Sequence, residues 1–200
     1  MKKLVYGVGI SEKGEFAGYS SVGGKSVATK EYELWRGMLT RCYNEKFQQN
    51  YPTYVGCSVS EGFKYFQRFA KWCNTQNGFG VQGYHLDKDI LVRGNKVYSE
   101  DICVFVPGNI NNLLIKRGAV RGDCPIGVTF RKKHQKYQAQ CSDGNGNMKY
   151  LGYFPTPNSA FQAYKTFKEA LIKRLALEYR DTIDPRVYEA LMQYEVNIND

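Results

Sequence analysis

The strongest constraint on the fold of this chain is a β-hairpin signal in its last third. Two strand-prone segments, 136–142 and 148–154, are separated by Asp-Gly-Asn-Gly-Asn at positions 143–147. Asp-Gly and Asn-Gly sequences supply the left-handed backbone that a tight turn between antiparallel strands requires. A third strand-prone segment, 126–132, precedes them. The sequence therefore predicts a three-stranded antiparallel sheet.

A helix is predicted directly after this sheet. Thr156 is a suitable N-cap, and Pro157 fits the first helical position because no hydrogen-bonded N–H is needed there. Apolar residues recur every three or four positions between Ala160 and Leu175, which gives the helix one apolar face. We expect this face to cover one side of the sheet and to leave the other side to solvent or a ligand.

The uncovered side of the sheet is predicted to be polar, because successive side chains of a strand point to opposite faces. The residues expected on it are Thr129, Arg131, Lys133, Gln138, Gln140 and Ser142. Those expected to face the helix are Val128, Phe130, Tyr137, Ala139 and Cys141. Arginine can bind a guanine edge through two hydrogen bonds, glutamine can bind adenine, and serine or threonine can contact phosphates. Such a face suits a DNA groove, although a merely solvated sheet would also be polar.

The positive charge of the chain is concentrated in the same region. Residues 116–180 contain 13 Lys and Arg against 4 Asp and Glu, whereas the remainder contains 15 of each. The whole net charge of +9 therefore lies in one third of the chain, where it would attract a polyanion with an affinity that falls with salt. Charge alone is also compatible with an ordinary basic surface.

Four segments of this region, in order, resemble the DNA-binding domain of plant ethylene-response factors, which also occurs in phage and mobile-element nucleases and integrases. They are Ile126–Arg131, Lys136–Ala139, Tyr150–Phe154 and Ala160–Tyr164. The resemblance implies that the sheet binds in a DNA groove. It places base and phosphate contacts at Thr129, Arg131, Gln140, Ser142, Tyr150 and Tyr153. Several of these positions are Arg or Trp in the plant proteins and only Arg131 keeps the charge here, so the plant sequence preference does not transfer.

Two helices and a β-β-α pattern are predicted before this region. Residues 30–45 carry one apolar stripe, and residues 60–73 carry an aromatic stripe behind Ser60, a plausible N-cap. We interpret the aromatic stripe as core. The β-β-α pattern consists of strands His85–Leu91 and Ile102–Val106 and a helix that begins at Asn109.

The first of these strands carries the most suggestive chemistry in the chain. His85, Asp87 and Asp89 are two residues apart, so a continuous strand would place all three on one face. Two carboxylates can bind Mg²⁺ or Mn²⁺, with Asn112 of the following helix as a further ligand. His85 can then activate water as a general base for phosphodiester hydrolysis. The alternative is a surface strand of alternating charge.

This region also resembles a phage group of HNH (His-Me finger) homing-endonuclease relatives. The matching residues are Trp35, Met38, Arg41, Cys42, Tyr43, Leu86, Asp87, Lys88, Gly94, Asn95, Tyr98, Cys103 and Asn112. The resemblance implies a metal-dependent DNA endonuclease. In that family the general-base histidine directly follows an acidic or amide residue, whereas here Lys88 follows Asp87. Lys88 is a poor base at neutral pH but a reasonable phosphate clamp.

The remaining composition indicates a cytoplasmic protein. No stretch approaches the roughly 18 apolar residues of a membrane span, and residues 4–10 are too short and too rich in glycine for a signal peptide. The six cysteines contain no Cys-x-x-Cys pair, so we interpret them as small buried thiols rather than zinc ligands. We expect no membrane partner and, if the chain is phage-encoded, a location in the host cytoplasm.

The predicted fold class is α+β. It combines N-terminal helices and an HNH-like ββα module with a three-stranded antiparallel sheet packed on one helix. The predicted divisions are an N-terminal arm at 1–29, the HNH-like module at 30–117, a linker at 118–124, the DNA-binding domain at 125–180 and a C-terminal helix or tail at 181–200.

The predicted function is binding of double-stranded DNA with metal-dependent cleavage, as in phage homing endonucleases. Two alternatives stay open at this point. One is a DNA-binding protein whose nuclease module is degenerate, and the other is a phage protein whose basic surface binds a host protein.

Overall fold

The computed structural model of the chain describes residues 4–115 and 123–199. It confirms the α+β class and divides into two compact units, between Val106 and Pro107. The helix predicted after the second strand of the β-β-α pattern therefore belongs to the second unit. Most of the predicted linker, 118–122, lies outside the described residues. None of the described helices is both long enough and apolar enough to cross a bilayer.

The described residues of the first unit form two short sheets, a separate hairpin and three α-helices. Its elements are β1 (Tyr19–Val22), β2 (Lys25–Ala28), α1 (Lys30–Tyr43), α2 (Glu45–Asn50), β3 (Ser58–Val59), α3 (Phe66–Cys73), β4 (Tyr84–Asp87), β5 (Val97–Tyr98) and β6 (Val104–Pro107). Strands β1 and β2 form an antiparallel hairpin within the predicted N-terminal arm. Strand β3 pairs in parallel with β5, and β4 pairs with β6.

The core of the first unit is the aromatic cluster expected from the sequence. Trp35, Phe63, Phe66 and Phe69 are fully or almost fully buried. The indole N–H of Trp35 donates to the carbonyl of Phe63 at 2.8 Å, so this buried polar group has a partner. Because these rings fill the interior, the aromatic stripe is core, as predicted.

The helix predicted over 60–73 is interrupted. A 3₁₀ turn at Gly62–Lys64 comes first, and α3 begins only at Phe66. The side chain of Ser60 accepts from the N–H of Phe63 and donates to the Glu100 carboxylate, so it caps the 3₁₀ turn rather than an α-helix. The prediction of one continuous helix was wrong at its first turn.

The second unit contains the three-stranded sheet. Its elements are α4 (Gly108–Leu114), β7 (Val128–Arg131), β8 (Lys136–Ser142), β9 (Met148–Phe154), α5 (Pro157–Glu178) and α6 (Pro185–Met192). The strand order is β7-β8-β9 and both pairs are antiparallel, as predicted. Helix α5 begins with a capping box in which Thr156 and Ser159 satisfy each other's backbone N–H groups.

Helix α5 covers one face of the sheet. Val128, Ala139 and Cys141 are buried on that face, as are Phe161 and Tyr164 of the helix. Phe130 was also predicted to face the helix, but it is 39% exposed. It pairs with Tyr137 and their rings lie 5.0 Å apart. The other face of β7, β8 and β9 carries the candidate site.

Candidate nucleic-acid interface

A β-bulge arranges the tyrosines of the exposed sheet face. Gln138 pairs with Tyr153 and Ala139 with Gly152, but Gln140 pairs with Tyr150, so Leu151 is an extra residue in β9. Gly152 has a φ of +129°, which favours glycine at this position. Since paired residues share a face, Tyr150 and Tyr153 lie on the same side of the sheet although they are three positions apart.

A chain of side-chain hydrogen bonds crosses this face. The Arg131 Nε–H donates to Gln138 Oε1 at 2.7 Å, and the Gln138 amide donates to Gln140 Oε1 at 3.0 Å. Arg131 is exposed, whereas both glutamines are half-buried on the central strand. We call this chain the Arg131–Gln140 relay. It links three of the predicted DNA-binding residues.

Two tyrosines and a histidine lie next to the relay. Tyr150 is 51% exposed and Tyr153 is 39% exposed, and their ring centroids are 5.5 Å apart. The ring of His134 lies 4.7 Å from that of Tyr153. Exposed rings of this kind offer flat apolar surface that can contact bases or sugars.

A basic turn adjoins Arg131. Lys132 and Lys133 lie with His134 in a 3₁₀ turn, and Gln135 closes it with a left-handed backbone at φ +48°. All of these residues and Lys136 are exposed. Lys133 was predicted to continue the alternation of the first strand, but β7 ends at Arg131. Its charge therefore belongs to the end of the sheet rather than to its face.

The remaining predicted contact residues, Thr129 and Ser142, have different surroundings. Thr129 is exposed and pairs with Gln138, next to the relay. Ser142 is half-buried, and its hydroxyl accepts from the N–H of Gly144 at 3.2 Å, so it also stabilises the hairpin turn. Thr129 is the better placed of the two to contact a ligand.

The constellation predicted in the first unit is not assembled on one strand face. Strand β4 ends at Asp87, because Asp87 Oδ1 accepts the backbone N–H groups of Asp89 at 2.8 Å and Ile90 at 2.7 Å. This turn replaces the strand geometry that would have aligned His85, Asp87 and Asp89. The prediction of a continuous strand from His85 to Leu91 was therefore wrong.

Lys88 is the buried residue of this turn, at 8% exposure. Its ammonium group donates to Asp89 Oδ2 at 3.0 Å and to the carbonyl of Asn95 at 2.8 Å, and it lies 5.9 Å from the centre of the Tyr98 ring. The Asn95 amide in turn donates to the carbonyls of Lys88 and Val97. These contacts give Lys88 and Asn95 a role in holding the turn together.

The surroundings of Asp87 shift the pKa of its carboxyl. Burial raises the pKa of its carboxyl, and the charge of Asp89 raises it further, against the opposing effect of the two backbone N–H groups and of Lys88. His85 is exposed on β4, and Asn112 is exposed on α4 in the second unit. Asp87 and His85 are thus only two positions apart along the chain, but His85 is exposed whereas the carboxyl of Asp87 is partly buried.

Two of the donors predicted for Mg²⁺ or Mn²⁺, Asp87 and Asp89, also take part in the turn. One oxygen each of Asp87 and Asp89 is already engaged within the turn, by two backbone N–H groups and by Lys88. Within residues 4–115 and 123–199, no three His, Cys, Asp or Glu side chains form a group that could hold a metal ion.

Comparison with known proteins adds no relative. No protein-family model matches the chain, and neither a curated protein nor a solved structure matches it.

Sequence reasoning did not anticipate the relay or the bulge that presents both tyrosines. Period-2 alternation could place Arg131, Gln138 and Gln140 on one face, but not show that they bond to one another. The Leu-Gly sequence at 151–152 is the one signal for the bulge, since glycine inside a strand often marks one.

Proposed function

We propose that this protein binds double-stranded DNA through the exposed face of β7, β8 and β9. The observation that carries the proposal is that Arg131, two glutamines and two exposed tyrosines share the sheet face opposite helix α5. A twisted sheet of this size can enter the major groove, as known β-ribbon readers do.

The electrostatic support comes from the end of the sheet. Lys132, Lys133 and Lys136 are exposed beside Arg131. In a groove-bound complex such a cluster lies close to phosphates, and each phosphate it neutralises releases a counterion. The basic turn would therefore supply affinity, while the polar side chains of the face supply contacts with bases.

The polar side chains favour DNA over an acidic host protein as the partner. An acidic protein surface would be bound chiefly by cations. The face instead places amide and phenol groups, which suit base edges and sugars, next to the cations. If the protein does not bind DNA at low salt, binding of a host protein becomes the favoured alternative.

Metal-dependent cleavage stays a prediction, and the contacts of Asp87, Lys88 and Asp89 favour the non-catalytic alternative. Cleavage is tested by incubating supercoiled plasmid with the protein and Mg²⁺ or Mn²⁺. Nicking that is lost in both Asp87→Ala and His85→Ala would establish a nuclease. Absence of nicking in the wild type under conditions that give full binding would leave a DNA-binding protein.

DNA binding is tested by fluorescence anisotropy with a labelled duplex over a range of salt concentrations. We expect Arg131→Ala to weaken binding about tenfold or more, since charge-assisted contacts contribute about 1.5–3 kcal/mol. Lys133→Ala should reduce the slope of log affinity against log salt by about 1.

Arg174→Ala is the matched control. It removes the same charge from an exposed arginine, but from helix α5, which covers the opposite face of the sheet. We expect a much smaller loss of affinity in this variant. Equal losses in Arg131→Ala and Arg174→Ala would show that only overall charge matters and would refute the proposed interface.

A further inference from the structure

We propose that the sheet face selects guanine over adenine, because Arg131 fixes the direction in which two glutamine amides present their hydrogen-bonding groups. The inference rests on the proposed DNA binding and concerns which bases the same face reads. Its starting point is the Arg131–Gln140 relay, with donor–acceptor distances of 2.7 and 3.0 Å.

The direction of the relay follows from the chemistry of arginine. A guanidinium group can only donate hydrogen bonds, so Gln138 must turn its carbonyl oxygen towards Arg131. The NH₂ group of Gln138 is then directed at Gln140, which must also present its carbonyl oxygen. Inverting either amide would bring two donors or two acceptors together. Only one orientation of the two amides therefore satisfies both hydrogen bonds.

Because the hydrogen bonds of the relay all run in one direction, the groups that stay available to a ligand are mainly hydrogen-bond donors. The terminal nitrogens of Arg131 and the NH₂ group of Gln140 remain, while the carbonyl oxygen of each glutamine already accepts one hydrogen bond. Glutamine binds adenine through both its carbonyl oxygen and its NH₂ group. That mode requires a second hydrogen bond at a carbonyl oxygen that already accepts one within the relay, so the adenine contact expected from composition alone is disfavoured.

Guanine matches a donor-rich face. Its major-groove edge presents two acceptors, N7 and O6, whereas adenine presents the acceptor N7 and the donor N6. An adenine in the same place would direct its amino group at the donors of Arg131 or Gln140. The face should therefore enrich guanine at the positions that the relay contacts.

The surroundings of the relay restrict its rearrangement. Gln138 and Gln140 are half-buried on the central strand, where Thr129 and Tyr153 flank the first and Tyr150 pairs with the second. Docking into a groove would remove water from these side chains. Hydrogen bonds strengthen when water is excluded, so the relay should keep its direction in the complex.

The experiment is selection of bound sequences from a randomised duplex library by the full chain. We expect guanine to be enriched, and a guanine-to-adenine change at an enriched position to weaken wild-type binding about tenfold. Gln138→Leu breaks both links of the relay without changing charge, so Gln140 is free to turn over. In this variant, discrimination between guanine and adenine at the base position that Gln140 contacts should fall to about twofold or less.

Arg131→Lys is the matched control. Lysine is also donor-only, so it keeps the direction of the relay while losing the two-pronged arginine contact. We expect weaker binding with the guanine preference at the Gln140 position retained. Circular dichroism and thermal unfolding establish that both variants keep the fold.

The outcomes separate the inference from the proposed function. Enrichment of guanine that is relaxed in Gln138→Leu and kept in Arg131→Lys supports the relay. Tight binding with equal or greater enrichment of adenine overturns it, as does a guanine preference at the Gln140 position that is unchanged in Gln138→Leu, and both leave DNA binding intact. Failure to bind any duplex at low salt refutes the proposed function itself.

Discussion

Gly127 is the position at which one added methyl group should most damage the candidate interface. Its backbone is left-handed, with φ +75°, and a Cβ built there would lie 2.0 Å from Cδ2 of Tyr164. A non-glycine residue in this conformation costs about 1–2 kcal/mol. Tyr164 is 4% exposed, and overpacking of a buried site costs about 1–3 kcal/mol more. We therefore expect Gly127→Ala to destabilise the second unit by about 2–5 kcal/mol.

The destabilisation caused by Gly127→Ala should also disturb the Arg131–Gln140 relay, because the two are connected through a backbone hydrogen bond. The carbonyl of Gly127 accepts the N–H of Gln140 at 2.9 Å, so displacing Gly127 disturbs the pairing of β7 with the central strand. Hydrogen exchange of the amides of β8 measures the free energy of opening of this sheet. Duplex affinity should fall in parallel as the open fraction rises.

Gly146→Ala is the control, because Gly146 has φ +93° and no described heavy atom within 4 Å of the added Cβ. It should cost only the 1–2 kcal/mol of the left-handed conformation. If exchange in β8 is accelerated equally by the two substitutions, the contact with Tyr164 contributes nothing and the packing argument is refuted.

Two further predictions concern local chemistry. The Asp184 side chain caps α6, and its hydrogen bond with the Arg186 side chain lowers the pKa of its carboxyl from the ordinary value of an aspartate. Asp184→Ala should therefore cost about 1 kcal/mol near neutral pH in denaturant titrations, and this cost should shrink as pH falls through the lowered pKa of Asp184; a cost independent of pH would contradict the assignment. Burial raises the pKa of the thiols of Cys42 and Cys103 to about 12 and that of Cys141 to about 11, whereas Cys124 is half-exposed. Iodoacetamide at pH 8 should alkylate Cys124 first, as read by mass spectrometry, and rapid native labelling of the buried three would refute this.

The second unit was predictable because its local signals agree with one another. Asp-Gly-Asn-Gly-Asn predicted the hairpin, and Thr156-Pro157 predicted the start of α5. Both signals depend on backbone conformation and hydrogen bonding within a few residues. The bounds of β8 and β9 match the predicted segments for the same reason. Lys133 was misplaced because nothing in Lys132-Lys133-His134 distinguishes a continuing strand from a 3₁₀ turn.

The strand predicted from His85 to Leu91 was wrong because Asp87 can adopt either of two local structures. Period-2 alternation does not distinguish between them. Asp87 can alternate within a strand or accept backbone N–H groups in a turn, and both are compatible with Leu-Asp-Lys-Asp. In the structure two backbone donors and the buried Lys88 favour the turn. The carboxylate oxygens of an aspartate can accept backbone N–H groups in a turn or coordinate a metal ion. These two uses compete for the same oxygen atoms.

The structural role of Asp87 and Lys88 affects whether their charges indicate a functional site in the first unit. A strained or costly arrangement of charges is a sign of function when local structure gains nothing from it. Here the carboxylate of Asp87 ends a strand, and the ammonium group of Lys88 joins Asp89 to Asn95. Each charge thus has a structural use that accounts for its burial. The exposed face of the second unit is different, since Arg131 and the neighbouring lysines keep their charges in solvent, where their benefit to folding is small. The sheet face of the second unit is therefore the surface whose charges folding alone does not explain.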